Sequence, residues 1–193
     1  MLSIFGQIFR LIALICALSL SSVVFAFGDP AIGKVPGPIS TMENLDGSPI
    51  DLSKYRGSTL ILYFGADWCG PCVISSRPAM LAALNKYRDH GLKVLYMNLD
   101  GNDTRTKKIE EAKALGLDIA MTSLAICPSE TCRLAPRLST GRLGEFGKIY
   151  VIPTLLIIDR EGFLRALLEN AHVIRRNLNE EVERVIAENR SPK

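Results

Sequence analysis

Two cysteines stand three positions apart in the stretch ADWCGPCV. Trp68 precedes the first cysteine, Cys69, and Gly70 and Pro71 separate it from the second, Cys72. Such a pair can hold half of a metal site, form a structural disulfide, or act as a dithiol that exchanges disulfides with another molecule. The setting of the pair in the chain bears on which of these it is.

The setting favours a reactive dithiol. TLILYFGA, directly before the pair, is a nearly continuous apolar run of the kind that forms a strand buried on both faces. Apolar residues recur at helical spacing after Cys72, so the pair enters the first turn of a helix, whose free N–H groups and dipole stabilise a thiolate at Cys69. Pro71 suits that first turn, and Gly70 leaves the sulfur accessible. We therefore predict that Cys69 is the nucleophile and that Cys72 resolves the mixed disulfide.

The two other uses of the pair have less support. A zinc site needs a second ligand pair; Cys127 and Cys132 are spaced more widely than a zinc knuckle, and the two histidines of the chain stand alone. A purely structural disulfide across three residues would close too short a loop to restrain the unfolded chain much. We therefore predict a thiol-disulfide oxidoreductase that uses no metal and no cofactor.

The elements that must position the dithiol follow from the hydrophobic pattern. A second buried strand is predicted at KVLYMNLD, and helices from Cys72 to about Asp89, at TRTKKIEEAKALG and at VIRRNLNEEVERVIAENR. The first helix is expected to turn apolar side chains inward: Val73, Ile74, Met80, Leu81, Leu84 and Tyr87. The charges of the second helix are expected to form a solvated face. TLLIIDREG with FLRALLEN predicts a hairpin, and the Asp46-Gly47 turn predicts another near the N-terminus. The pattern indicates an α/β domain.

The N-terminus differs in kind from the rest. MLSIFGQIFR carries one cation, Arg10, and LIALICALSLSSVVFA then runs sixteen residues without a charge. This is typical of a secretory signal cleaved after Ala26, and an uncleaved membrane anchor is the alternative, because about 20 apolar residues span a bilayer. We expect residues 1–26 to form this segment, 27–38 a Gly- and Pro-rich linker, and 39–193 the folded domain.

Composition sets outer limits on the function. The chain has 193 residues, of which 48% are hydrophobic and 22% charged, as in an ordinary globular domain. The net charge of +3 is spread over interspersed acids and bases, so we expect no nucleic-acid partner. Export would place the protein in the periplasm or another oxidising compartment.

A second motif lies about 80 residues after the dithiol, in KIYVIPTLLIID. Together with WCGPC, it makes the chain resemble thioredoxin-fold proteins. The leader, LDGSPIDLSKYRG and LLIIDREG make it similar to the exported TlpA/ResA-like oxidoreductases of the redoxin and AhpC/TSA group. The resemblance implies a thioredoxin-like fold, with a central mixed sheet flanked by helices and an N-terminal hairpin extension. It also implies a cis bond between Ile152 and Pro153, which would bind an extended substrate together with Trp68, Gly70 and Pro71.

The resemblance further implies a reaction and its partners. The TlpA/ResA-like group includes reductases of cytochrome c maturation. Gly70 and Pro71 match the reducing type, whereas strongly oxidising relatives carry a His there, and Ile152 also matches the reducing type. We therefore expect reduction of disulfide-bonded proteins, with electrons from a membrane donor of the DsbD/CcdA kind. The alternatives are a periplasmic oxidase or isomerase and, from another class, a redox-inert module that binds peptides in the cis-Pro groove.

Three positions depart from the family pattern. Tyr63 replaces a buried Asp six residues before the first cysteine, and Ser75 stands where many relatives have a Glu three residues after the second. Without these carboxylates, we expect Asp67, water or a substrate group to deprotonate Cys72. The helix proline comes six residues after the second cysteine instead of five, at Pro78, which predicts a displaced kink or a different helix start.

The stretch AICPSETCRLAP is the least family-like part of the chain. Because exported cysteines pair, we predict a structural disulfide between Cys127 and Cys132 that pins an inserted loop and contributes about 2 kcal/mol. The alternative is a second redox couple that relays electrons to or from Cys69.

Overall fold

One six-stranded sheet organises the described part of the chain. The computed structural model describes residues 32–36, 39, 42–100, 104–122 and 151–189. The strands are β1 (Met42–Asn44), β2 (Thr59–Gly65), β3 (Leu92–Asn98), β4 (Asp118–Thr122), β5 (Thr154–Ile158) and β6 (Leu164–Glu169). Their order across the sheet is β1-β4-β3-β2-β5-β6. Neighbours among β2, β3 and β4 run parallel and the other pairs antiparallel, which confirms the predicted mixed sheet.

Three α-helices accompany the sheet in these residues: α1 (Arg77–Tyr87), α2 (Arg105–Leu115) and α3 (Ala171–Glu188). A π-helical turn, Cys72–Ser76, leads into α1. Gly116 ends α2 in the left-handed region, with φ +61°, where its N–H bonds the carbonyl of Ala112 at 2.9 Å. The described residues include no helix with both the length and the apolar character needed to cross a bilayer.

Strand β2 is central and places consecutive side chains on opposite faces of the sheet. All seven of its residues are buried, as its continuous apolar run predicted. Ile61 and Tyr63 belong to the core that packs against α1 and α3. Leu62 and Phe64 belong to the opposite core, which also contains both cysteines of the dithiol. The dithiol at the end of β2 therefore lies on the same side of the sheet as Leu62 and Phe64.

The C-terminal part agrees with the sequence prediction. β5 and β6 form the predicted hairpin. The apolar spacing of the closing helix predicts six inward side chains; Val173 is only partly buried, and α3 buries the other five, Ile174, Leu178, Val182, Val185 and Ile186. Asn170 caps α3, since its side chain accepts a hydrogen bond from the N–H of Val173 at 3.1 Å.

Two parts of the sheet differ from the prediction. In the N-terminal hairpin, only β1 is a strand, and it pairs with β4; the other arm is reduced to one bridge, Glu43 to Pro49, before the 3₁₀ helix Leu52–Tyr55. Strand β4 was not predicted, because DIAMT is short and contains few β-branched residues. The predicted leader, residues 1–26, and the two cysteines of AICPSETC lie outside the described residues.

Candidate active site

The dithiol lies where β2 passes into the π-helical turn. Cys69 and Cys72 form a disulfide, with their Cα atoms 5.1 Å apart. The backbone N–H of Cys72 points at Cys69 Sγ, 3.2 Å away, and the N–H of Val73 bonds the carbonyl of Cys69 at 3.1 Å. The sulfur of Cys69 thus occupies the helix N-terminus, where donors favour a thiolate. Cys69 was expected to be exposed, but with its sulfur bonded to Cys72 it keeps 6% of its surface accessible, and Cys72 none.

Two of the residues expected to bind substrate, Ile152 and Pro153, lie directly before β5, the strand that pairs with β2. The bond between Ile152 and Pro153 is cis, as the resemblance implied. Thr154, the next residue, pairs with Phe64 at the end of β2, and Ile152 packs against the core cluster that contains the dithiol. A side chain added at Gly70 would meet no atom within 4 Å, so the surface beside the pair is open.

Exposed apolar side chains stand next to the dithiol and to the cis bond in the sequence, and we call them the apolar rim. Its members are large apolar side chains that remain substantially exposed: Trp68, Val73, Ile74 and Val151. Ile74 is 80% exposed. The sequence pattern had placed Val73 and Ile74 in the core, and this was wrong, because the π-helical turn shifts them out of the α-helical period.

The π-helical turn accommodates the displaced proline. The N–H of Arg77 bonds the carbonyl of Cys72, five residues earlier, so the turn takes up one residue more than an α-helical turn. Pro78 consequently follows the π-helical turn directly, as the second residue of α1. The helix begins at Gly70, directly after Cys69, so the extra residue is taken up by an irregularity inside the helix and not by a different helix start.

Two hydroxyl groups lie where the family pattern has carboxylates. Tyr63 Oη and Ser76 Oγ are 2.8 Å apart, and both residues are fully buried. Ser76 Oγ also lies 3.3 Å from the carbonyl of Cys72. Burial raises the pKa of Tyr63, so the phenol stays neutral. In the family pattern the Glu stands two residues before the helix proline. The residue two before Pro78 is Ser76, so Ser76, and not the half-buried Ser75, is the counterpart of that Glu.

Asp67 is poorly suited to act as the base for Cys72. Its Oδ1 accepts hydrogen bonds from Arg77 Nη2 at 2.8 Å and Lys108 Nζ at 3.0 Å, and its Oδ2 accepts one from Lys107 Nζ at 2.9 Å. Burial alone would raise the pKa of Asp67, but these bonds outweigh it and hold the pKa well below its usual range. Water and substrate groups remain as acceptors for the proton.

Several charged side chains of α2 are exposed, as the predicted solvated face requires, but Lys108 is an exception. Lys108 is fully buried. Besides Asp67, its Nζ lies 2.8 Å from a carboxylate oxygen of Glu111 and 3.5 Å from one of Asp100. The sequence contained one local signal, the i,i+3 spacing of Lys108 and Glu111, whereas the other two partners come from distant segments.

Other types of site have no support near the dithiol. Within the described ranges, no three His, Cys, Asp or Glu residues are grouped so that they could hold a metal ion. A cavity of about 420 Å³ lies at the opposite end of β2, where Tyr55, Leu60 and Ile158 line it. It is too remote to take part in dithiol chemistry.

Known proteins resemble the chain across this region. A family model described as the AhpC/TSA family matches residues 34–167. The thiol-disulfide oxidoreductase ResA of Bacillus thuringiensis subsp. konkukian is 25% identical over 134 residues, which are 68% of this chain and 65% of that protein. The chain thus spans just under two thirds of the relative. A probable nucleoredoxin 3 of Oryza sativa subsp. japonica is 33% identical over 119 residues, 61% of this chain and 22% of the relative.

A solved structure shares the fold. The putative thiol:disulfide interchange protein DsbE of Chlorobium tepidum superposes with a TM-score of 0.55 at 22% identity, covering 82% of this chain and 98% of that one. This likeness confirms the predicted thioredoxin-like α/β architecture.

Proposed function

The chain belongs to the AhpC/TSA family, and we propose that it is an enzyme, a thiol-disulfide oxidoreductase that reduces disulfides in other proteins through Cys69 and Cys72. The observation that carries the proposal is the sulfur of Cys69 at a helix N-terminus, 3.2 Å from the N–H of Cys72. A reactive dithiol needs this arrangement, because the thiolate is the attacking species.

The reaction runs in two exchanges. The Cys69 thiolate attacks one sulfur of the substrate disulfide, which forms a mixed disulfide and releases the other substrate sulfur as a thiolate. Cys72 then loses its proton to water or to that thiolate and attacks Cys69 Sγ. The substrate leaves as a dithiol with two electrons gained, and the Cys69–Cys72 disulfide is restored.

The substrate is a protein segment in extended conformation with apolar residues beside its cysteine. Ile152 and Pro153 offer backbone atoms for strand addition, and Trp68, Gly70 and Pro71 form the opposite side of the site. The exposed rim residues support this choice, because an apolar partner would cover surface that is otherwise in contact with water.

The direction, location and electron donor also belong to the proposal. Gly70 and Pro71 between the cysteines favour reduction. We place the protein outside the cytoplasm, in cytochrome c maturation or a related process, with electrons from a membrane donor of the DsbD/CcdA type. The leader, residues 1–26, supports export, since it has the features of a secretory signal.

Trapping tests the proposal. Cys72→Ser in the otherwise unchanged chain should accumulate mixed disulfides at Cys69, which mass spectrometry identifies, while the Cys69→Ser/Cys72→Ser variant should form none. The native protein should also reduce insulin in the presence of a supplied thiol. Failure of both experiments would refute the oxidoreductase, and a strongly oxidising potential in a glutathione titration would change the direction to disulfide introduction.

A further inference from the structure

A buried lysine lies beside the loop that carries the nucleophile. Lys108 has no exposed surface, although lysine is almost never fully buried unless it is paired. A charge without water costs several kcal/mol unless opposite charges surround it. The dithiol chemistry described above makes no use of Lys108, so the burial of this charge needs a separate explanation.

Lys108 holds the loop before Cys69 in two ways. Its Nζ bonds the Asp67 carboxylate directly at 3.0 Å. It also lies 3.5 Å from a carboxylate oxygen of Asp100, and that carboxylate accepts the backbone N–H of Asp67 at 2.9 and 3.1 Å. Both the side chain and the backbone of Asp67, two residues before Cys69, are therefore fixed against α2.

The groups around Lys108 balance in charge. Three carboxylates, those of Asp67, Asp100 and Glu111, meet three cations, those of Arg77, Lys107 and Lys108. The side chain of Lys107 is 70% exposed, so solvent screens its charge. Lys108 is fully buried, so its removal would leave the carboxylates around it with one positive charge too few.

We propose that Lys108 is a positioning residue that sets the stability of the Cys69 thiolate by neutralising Asp67 and fixing the loop that precedes the dithiol. The inference rests on the proposed dithiol chemistry, but it does not depend on the substrate or on the direction of electron flow.

The sign of the effect follows from the charges. Reduction of the disulfide takes two electrons and one proton and yields a thiolate at Cys69 and a thiol at Cys72. Without Lys108, the negative charge of Asp67 is less compensated, so the thiolate is less stable. The disulfide then becomes harder to reduce, and Cys69 needs a higher pH to react.

The experiment is a glutathione redox titration of Lys108→Met at pH 7, together with the pH profile of Cys69 alkylation. The equilibrium constant favouring the disulfide should rise about three- to tenfold, which corresponds to a potential more negative by about 14 to 30 mV. The alkylation midpoint should move upward by about 0.5 to 1 pH unit. Asp67→Asn should shift both readouts in the opposite direction, and Asp67→Asn/Lys108→Met should return them towards the native values.

Lys113→Met is the matched control. Lys113 also lies on α2 and pairs with Glu110 at 3.2 Å, but both side chains are well exposed. Its removal should change the equilibrium constant less than twofold.

Three outcomes would overturn the inference. The first is a folded Lys108→Met with the native potential and alkylation profile, and the second is a double variant whose potential and profile do not move back towards the native values. The third is an Asp67→Asn variant in which neither readout shifts. The result for Asp67→Asn decides the question even if Lys108→Met does not fold. These readouts need no protein substrate, so a native protein that fails in trapping and insulin reduction would refute the proposed function separately.

Discussion

The buried pair of Tyr63 and Ser76 offers the sharpest test of the site's architecture. Its hydroxyls are 2.8 Å apart beneath the dithiol. Tyr63→Phe removes one hydroxyl while the ring keeps its contact with Tyr96, at a centroid distance of 5.2 Å. Ser76→Ala removes the other and leaves the Tyr63 hydroxyl with two weaker contacts, to the carbonyl of Cys72 at 3.4 Å and to the Arg77 side chain.

The magnitudes follow from the remaining partners. After Tyr63→Phe, Ser76 Oγ keeps the carbonyls of Pro71 at 3.4 Å and Cys72 at 3.3 Å, so we expect a loss of about 1 kcal/mol in the free energy of unfolding. Ser76→Ala deprives the buried phenol of its shortest hydrogen bond and should cost about 2 kcal/mol. The double variant removes both polar groups and should cost less than the sum, with a coupling energy of about 1 kcal/mol.

Urea denaturation of the oxidised protein measures all three variants. Ser75→Ala is the matched control, because the same change at the neighbouring half-buried serine should alter stability by less than about 0.5 kcal/mol. Additive single effects would show that the two hydroxyls do not act as a pair. Equal losses for Ser75→Ala and Ser76→Ala would refute the register that the π-helical turn assigns.

Three further predictions concern stability and the second cysteine pair. Cys127→Ser/Cys132→Ser should lower the unfolding free energy by about 2 kcal/mol, while insulin reduction proceeds at close to the native rate. If a folded variant loses turnover, the second pair is a redox relay. Asn170 caps α3 by accepting the N–H of Val173, and its φ of +62° strains any residue except glycine. Urea denaturation should therefore show a loss of about 1–2 kcal/mol in unfolding free energy for Asn170→Ala and a smaller loss for Asn170→Gly. The reverse order would contradict this. The ion pairs that lower the pKa of Asp67 stabilise the fold fully above about pH 4, and this contribution is lost as the pH falls further. In Asp67→Asn, the unfolding free energy should therefore fall less steeply with decreasing pH in the acid range than it does in the native protein. An unchanged slope would contradict this.

The features that could be predicted from the sequence are those fixed by neighbouring residues. The continuous apolar run of β2 is buried over its full length because both faces of the strand are covered. The two cysteines and Pro71 imply a helix N-terminus within a few residues, and the closing helix α3 repeats its apolar positions along one face. The cis bond before Pro153 followed from resemblance alone, since nothing in its local sequence requires it.

The features that could not be predicted depend on residues far apart in the chain. Lys108 lies in a charged helical stretch that is compatible with a solvated face, and its partner Asp67 comes 41 residues earlier. Strand β4 is short and is specified by its pairing with β3 and β1 more than by its own composition. In both cases tertiary contact outweighs local preference.

One extra residue between the second cysteine and the helix proline has two structural consequences. Pro78 lacks the N–H that a regular α-helical turn would use, and the additional residue is taken up just before it, between Cys72 and Arg77, where the π-helical turn forms. On the inner side, this turn brings Ser76 to Tyr63 in place of a carboxylate. On the outer side, it leaves Ile74 80% exposed on the apolar rim. The same insertion therefore shapes both the buried surroundings of the resolving cysteine and the surface that a substrate would contact.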